Sequence, residues 1–411
     1  MSNTSVAAFQ IAVTDGGVTA PAGFQSAAVA AGIKKQAGAL DLALLAADRP
    51  VPTAALFTTN LAQAAPVLIS RRHLEATAGS ARAIVVNAGC ANACTGEDGL
   101  ANATRMTGEV AAALDCRPEE VLVASTGVIG VGLPMSKVTA GIAKAAPALA
   151  RGNGADVAHA IMTTDPFPKE HAVTVETARG RFTVGGTAKG SGMIEPNMAT
   201  MLGFLTTDAD VPPGLLRRAL TESARATFNA ITVDGDTSTN DCVVAMASGA
   251  SGVTIDEDSY AALLAGMVAV SRELAIGIVR GGEGATKLVT VNVRDARSIA
   301  DAQRVAKTIA NSPLVKTAIH GADPNWGRIV AAAGRAGVDF DINRVTVHVG
   351  GVLLFEHGLP HDEAAPQAES HLREAEIQID VDLGTGGQAN TTVWTCDLSA
   401  EYVRINGEYR T

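Results

Sequence analysis

The sequence predicts a layered α/β protein, and three observations carry that expectation. The chain is 411 residues long, enough for two or three domains and a large core. Hydrophobic residues make up 47% of it but aromatics only 3%, so Ala, Val, Leu and Ile, with 42 glycines, must supply the packing and the tight turns. Apolar runs of strand length lead into polar glycine segments and then into helix-period apolar faces, and the succession repeats.

Ala83 to Asn87 reads as a buried strand, followed by the tight segment Ala88 to Gly96 and a helix with Met106, Val110, Ala113 and Leu114 on one face. Val121 to Ala124 is a second strand, running into the polar glycine turn Ser125-Thr-Gly-Val-Ile-Gly130. Ala172 to Glu176 and Arg181 to Val184 alternate as paired strands do, and Gly185-Gly186 permits a turn before Lys189. Met201 to Leu205 is a short core strand. Leu288 to Val293 is another, and Ser298 with Asp301 starts a helix whose apolar face is Ala302, Val305, Ala306 and Ile309. Ser312-Pro313 begins a further helix that Gly321 ends; Val345 to Val349, Ile377 to Leu383 and Thr391 to Trp394 alternate as strands. A change of grammar near residue 286 divides the chain into units 1–285 and 286–411.

The net charge of -10, with no Lys/Arg cluster interleaved with aromatics, argues against a nucleic-acid binder. The first ten residues carry neither a positive n-region nor an apolar h-region. No stretch approaches an uncharged run of about 18 apolar residues, so the expectation is a soluble, cytoplasmic protein with no membrane partner. Five scattered cysteines, Cys90, Cys94, Cys116, Cys242 and Cys396, are no disulfide framework.

The most informative stretch runs from Lys189 to Leu202 and places a β-branched hydroxyl, Thr200, behind the small Ala199. A break at Ala199/Thr200 would make Thr200 an N-terminus, with a hydroxyl beside a free α-amine whose pKa of about 7.7–8.0 lets it act as base. The hydroxyl can make that break itself by attacking the Ala199 carbonyl. Gly190, Gly192 and Ala199 leave room for the approach, and Pro196 restricts the chain just before it. Taken alone, Ala-Thr-Met-Leu reads as the first residues of a buried strand.

Ordered motifs along the chain resolve that choice: Asn87-Ala-Gly-Cys-Ala-Asn92, Ser125 to Gly130, Met162-Thr-Thr-Asp165, Lys189 to Leu202, Asp234-Gly-Asp-Thr-Ser-Thr-Asn-Asp241, Gly282-Glu-Gly-Ala-Thr-Lys287, Gly321 to Arg328 and Tyr409-Arg-Thr411. Together and in this order they resemble the ornithine acetyltransferase (glutamate N-acetyltransferase) family of arginine biosynthesis, from Pro21 to the last residue. The resemblance implies an N-terminal-nucleophile-like αββα sandwich, two stacked sheets flanked by helices, with a smaller α+β C-terminal domain. It implies self-cleavage into an α chain, 1–199, and a β chain, 200–411, which pair and dimerise into a heterotetramer. It further implies a ping-pong acetyltransferase in which Thr200 takes the acetyl group from N2-acetyl-L-ornithine and hands it to L-glutamate. No cofactor or metal is implied, and whether acetyl-CoA also serves as an acetyl donor stays open. The rival is an aminopeptidase or amidase of the same architecture.

Carried over residue by residue, the resemblance makes the Thr126 hydroxyl and the Gly127 backbone N–H the donors to the developing oxyanion. It assigns substrate contacts to Thr163, Lys189, Thr200, Glu283, Asn406 and Thr411. From the residues themselves, Lys189 is either a solvated lysine or the partner of an α-carboxylate, and Glu283 either caps a turn or holds a side-chain amine. Thr163 and Thr164 are equally able to project into a site. Asn406 and Thr411 read as a fraying tail that only the resemblance promotes. His357-Gly-Leu-Pro-His361 has no third ligand and a proline that disfavours a helix, so it reads as a surface loop.

Overall fold

A computed structural model describes residues 9–195 and 201–408. Nine strands form the larger sheet: β1 (Gln10–Thr14), β2 (Phe24–Val29), β3 (Leu42–Phe57), β4 (Ser80–Cys90), β5 (Val121–Val128), β6 (Lys169–Thr177), β7 (Gly180–Lys189), β8 (Leu202–Thr207) and β9 (Cys242–Ala247). Their order is β1-β6-β7-β8-β9-β3-β4-β5, with β2 on the free side of β3. The 16-residue β3 explains how one path becomes two layers. Its register shifts between Ala46 and Val51; residues before the shift pair with β2 and β4, and Thr53 to Phe57 pair with β9. An irregularity of this kind bends a strand.

Strict alternation then sorts the side chains into three cores. Ile84 and Val86 of β4 and Leu122 and Ala124 of β5 share one buried cluster with Phe204 of β8 and Val244 and Met246 of β9, so the two halves of the sheet stack face to face. The opposite faces meet helices. Ala83, Val85, Val121 and Val123 pack under α1 (Ala65–Ala76), α2 (Gly96–Leu114) and α3 (Met135–Ala145). The short α4 (Gly154–Ala160) puts Val157 and Ala160 into the core between the layers. Leu205, Val243 and Ala245 face α5 (Pro213–Ala226) and α6 (Tyr260–Arg280). The result is the αββα sandwich. Helix α6 is long and apolar enough to cross a membrane by composition, but Leu263, Val270, Leu274 and Ile278 are buried in this core.

The second sheet uses β10 (Leu288–Ala296), β11 (Thr346–Val349), β12 (Val352–Glu356), β13 (Leu359–Pro360), β14 (Glu376–Asp382) and β15 (Ala389–Cys396), in the order β13-β12-β11-β14-β10-β15. Only β10 and β14 run parallel. One face, with Val289, Val291, Val347, Ile379 and Val393, packs on α7 (Ile299–Ala310), α8 (Pro313–His320), α9 (Trp326–Gly334) and α10 (Ala365–Leu372). The last helix, α11 (Ala400–Glu408), leaves this core. Ser298 caps α7 as expected, accepting the Asp301 N–H at 3.1 Å, and all four expected apolar residues of α7 are buried.

Three local expectations are corrected. Gly185 and Gly186 lie inside β7 and make no turn. A Cβ on Gly185 would strike the Gly17 carbonyl, and one on Gly186 would crowd Leu205, so their smallness admits a crossing chain and a helix-facing core. Ser125 to Val128 continue β5 and form no loop. Ala113 is exposed, because the buried stripe of α2 runs through Ala103, Met106, Val110 and Ala111.

Candidate active site

The strand ends and connecting loops of the sandwich converge on a cleft of about 220 Å³. Strand β5 contributes Thr126 and Gly127 at a bulge, where the pairing with β4 shifts between Gly89 and Cys90. A bulge interrupts the ladder and re-aims backbone groups. Gly127 has φ +122°, and a Cβ there would sit against the Gly89 and Cys90 backbone, so no other residue fits. The loops behind it are tied by amides. Asn87 donates to the Cys90 carbonyl at 2.8 Å and accepts from Ser125 Oγ at 2.6 Å, while Asn240 donates to the carbonyls of Ala91 and Ser125 at 2.6 and 2.9 Å.

Lys189 ends β7, and its Nζ donates to Thr126 Oγ1 at 3.2 Å. With that lone pair occupied by a cation, the Thr126 hydroxyl proton is free to donate into the cleft. Below Lys189 lies a buried ion pair: Lys169 Nζ meets Asp165 Oδ1 at 2.6 Å, with side chains 2% and 0% exposed. Asp165 also accepts the N–H groups of Gly190 at 2.7 Å and Thr163 at 3.0 Å, fixing both flanks of the cleft. Burial opposes its charge, but Lys189 and Lys169 together hold its carboxyl at about 2.

Glu283 lines the same cleft as Lys189 and gives it a carboxylate. Its carboxylate fills the space above Gly192 that a Cβ would take, its N–H donates to the Ser191 carbonyl at 2.9 Å, and it accepts from Asn406 Nδ2 at 2.7 Å. Asn406 lies on α11, so the second sheet's terminal helix reaches into the sandwich's cleft. The same helix brings Tyr402, whose hydroxyl donates to Asp234 Oδ2 at 3.1 Å; burial and then Asp234 push that phenol up. Asp234 also accepts the N–H groups of Met193 and Ile194 at 2.7 and 2.8 Å.

Of the residues singled out from sequence, Thr126, Gly127, Thr163, Thr164, Lys189, Glu283 and Asn406 all line this cleft. Ala199, Thr200 and Thr411 lie outside the described residues; Met201 and Leu202, which follow them in the first case, line the cleft. Sequence reasoning gave no individual role to Asp165, Lys169, Asp234, Asp241 or Tyr402. Asp165, Asp234 and Asp241 fell within motifs that carried the resemblance but were not candidates, whereas Lys169 and Tyr402 carried no signal. His361 sits 3.2 Å from Glu356 in the second sheet, remote from the cleft residues in the fold.

The family model and the sequence relatives agree on one family. The ArgJ family model matches residues 25–411. The arginine biosynthesis bifunctional protein ArgJ of Symbiobacterium thermophilum is 50% identical over 402 residues, covering 96% of this chain and 99% of that protein. The protein of that name from Dehalococcoides mccartyi is 48% identical, covering 97% and 98%. Among solved structures, a chain of ornithine acetyltransferase from Mycobacterium tuberculosis, complexed with ornithine, is 44% identical over 47% of this chain and all (100%) of that one, with a TM-score of 0.43. With a family model spanning all but the first 24 residues and relatives matched end to end at about half identity, the chain belongs to the ArgJ family.

Proposed function

We propose that the protein is a self-processing acetyltransferase of arginine biosynthesis that moves the acetyl group of N2-acetyl-L-ornithine to L-glutamate through an acetyl ester on Thr200. The observation that supports this reading is one cleft that brings together Lys189, the only cation lining it among the described residues, the Glu283 carboxylate, the Thr126 hydroxyl that Lys189 contacts, and the Gly127 backbone. Lys189 pairs with the α-carboxylate common to both amino acids, and Glu283 with Asn406 receives the side-chain amine of ornithine. Thr126 and Gly127 stabilise the oxyanion of each tetrahedral intermediate, a contribution of about 10²- to 10³-fold per donor in rate. Thr163 and Thr411 contact substrate. Membership of the ArgJ family, whose relatives are named for arginine biosynthesis and for two functions, supports the same chemistry.

In this reading cleavage between Ala199 and Thr200 yields chains 1–199 and 200–411, and the freed α-amine is the base for its own hydroxyl. The cleaved chains stay paired and form an α2β2 assembly in the cytoplasm, built from a catalytic unit 1–285 and a smaller unit 286–411. The test combines intact-mass analysis with turnover. Two species matching the proposed chains, an acetyl adduct on the peptide beginning at Thr200, and ornithine release that yields N-acetylglutamate only when glutamate is present are expected. Hydrolysis that ignores glutamate would make the protein an amidase instead, and full activity from the unbroken chain would remove the base from the mechanism.

A further inference from the structure

Asp41 stands at the entrance to β3, 1% exposed, and neither the sequence motifs nor the reaction above uses it. Its carboxylate gathers three backbone donors from the preceding loop: the N–H of Ala31 at 2.6 Å, of Ile33 at 2.5 Å and of Lys34 at 2.9 Å. Its own backbone is held as well, the N–H donating to the Val29 carbonyl at 3.1 Å and the carbonyl accepting the Ala88 N–H at 2.9 Å. The loop so gathered lies directly on Gly89, where a Cβ would stand 3.2 Å from the Lys34 nitrogen and 3.3 Å from the Ile33 carbonyl carbon. Gly89 in turn lies against Gly127, where a Cβ would meet the Gly89 and Cys90 backbone. Loop, β4 and Gly127 are therefore stacked backbone to backbone, and Asp41 bonds the first two.

An oxyanion donor works only if its N–H is aimed beforehand, about 2.7–3.1 Å from where the oxygen will sit. Glycine is the residue least able to keep such an aim by itself, because it has the widest choice of backbone angles. Gly127 (φ +122°) faces Gly89 (φ +103°) where the pairing of β4 with β5 slips, so neither a side chain nor a regular ladder fixes the peptide plane. Packing from behind is what remains. The other oxyanion donor has a support of its own, the Lys189 contact to Thr126.

We infer that Asp41 is a positioning residue for the Gly127 N–H, acting through the 31–34 loop and Gly89, an inference that rests on the reading of that N–H as an oxyanion donor. A carboxylate suits the task because both of its oxygens accept and neither donates. In Asp41→Asn the amide nitrogen must face at least one of the three N–H groups, donor against donor, and the loop shifts off Gly89. The loop keeps a second tie, since Lys34 Nζ donates to the Leu40 and Ala160 carbonyls at 2.8 and 3.2 Å. The substitution therefore displaces the support behind Gly127 and leaves the sandwich standing.

The test uses the whole processed enzyme and two substrates that differ in one atom: N2-acetyl-L-ornithine and its thioacetyl analogue, in which sulfur replaces the carbonyl oxygen. Sulfur is a poor hydrogen-bond acceptor, so the analogue draws little on either oxyanion donor. In D41N, single-turnover acylation by acetylornithine should fall about 10- to 100-fold, part of the roughly 10²- to 10³-fold that a whole donor supplies. Acylation by the analogue and the affinity for ornithine should stay at their parent values. Equal losses with the two substrates, as a partly unfolded enzyme would give, or no loss with either, overturn the inference. If D41N does not fold, replacing Ile33 by its α-hydroxy acid deletes one N–H donated to Asp41 and leaves every side chain in place. That variant should show the same asymmetry at smaller size, and equal losses or none overturn the inference again. Failure of the underlying reading shows separately, as a parent enzyme that forms no acetyl adduct at Thr200 or that acylates equally fast from both substrates.

Discussion

Asp165 illustrates how one buried charge organises a site it does not enter. Its two oxygens hold Lys169, the Gly190 N–H and the Thr163 N–H at once, so the carboxylate is a joint between β6, β7 and the 163–165 turn. Asp165→Asn would leave the Lys169 ammonium buried and unpaired, a loss of about 3–5 kcal/mol; urea unfolding at pH 7 is the check. Because the folded carboxyl is held at about 2 against an ordinary 3.8, its stabilising effect is present above about pH 4 and lost as the pH falls through about 2. The parent should therefore lose stability over that acid window, and the Asn variant should lose less there. Lys189 calls for a different measurement. Removing its charge in Lys189→Met costs a charge-assisted hydrogen bond of about 1.5–3 kcal/mol, so KM for both amino acids should rise about 10- to 100-fold. Since Lys189 also orients Thr126, kcat should fall with it; a rise in KM alone would show that the 3.2 Å contact has no part in the chemistry.

At the scale of elements, what the sequence discloses is periodicity, and what it hides is adjacency. The alternation in Leu288 to Val293 and the capping serine before α7 are local signals, and both elements form as read. Lys189, Glu283 and Thr126 were reachable because each sits in a motif with a chemical reason attached. Gly185-Gly186 misled because two glycines signal a turn only when nothing crosses them; here the need for small residues comes from Gly17 and from Leu205, distant in sequence. Tyr402 and Lys169 were invisible for the same reason, since their partners Asp234 and Asp165 are set by folding alone. That reading makes Gly185→Ala a sharp test. A turn glycine with ordinary φ would accept alanine at little cost, whereas a methyl driven into the Gly17 carbonyl must displace the 15–21 crossing or part β7 from its neighbours. Overpacking of this kind costs about 1–3 kcal/mol, so the thermal midpoint should drop by several degrees, while an alanine at the open, helical Gly214 holds it or raises it slightly.

Viewed whole, the molecule is a sandwich whose cleft is finished by the far end of the other sheet's unit. Thr232 donates its N–H to the Trp394 carbonyl at 3.0 Å and Lys307 pairs with Glu195 at 3.2 Å, so the two parts are stitched together close to the cleft. Helix α11 then leaves the second core and lies over Gly284, where φ +68° and the closeness of the Tyr402 backbone exclude any side chain. None of its residues is buried, so it adds little to the hydrophobic ledger of either core. What it adds is polar: Asn406 to Glu283 and Tyr402 to Asp234. Stability and binding should therefore separate on its removal. A chain ending at Ser399 should keep its thermal midpoint within about two or three degrees of the parent, because no fully buried side chain is lost, only exposed and half-buried surface. Its affinity for ornithine should weaken about tenfold or more, because Glu283 would lose the amide that orients it and the cleft would open to water. Isothermal titration with ornithine beside a melting curve reads both quantities. A large fall in the midpoint would show that α11 is a structural strap, and unchanged affinity would show that the cleft is complete without the second unit's last helix.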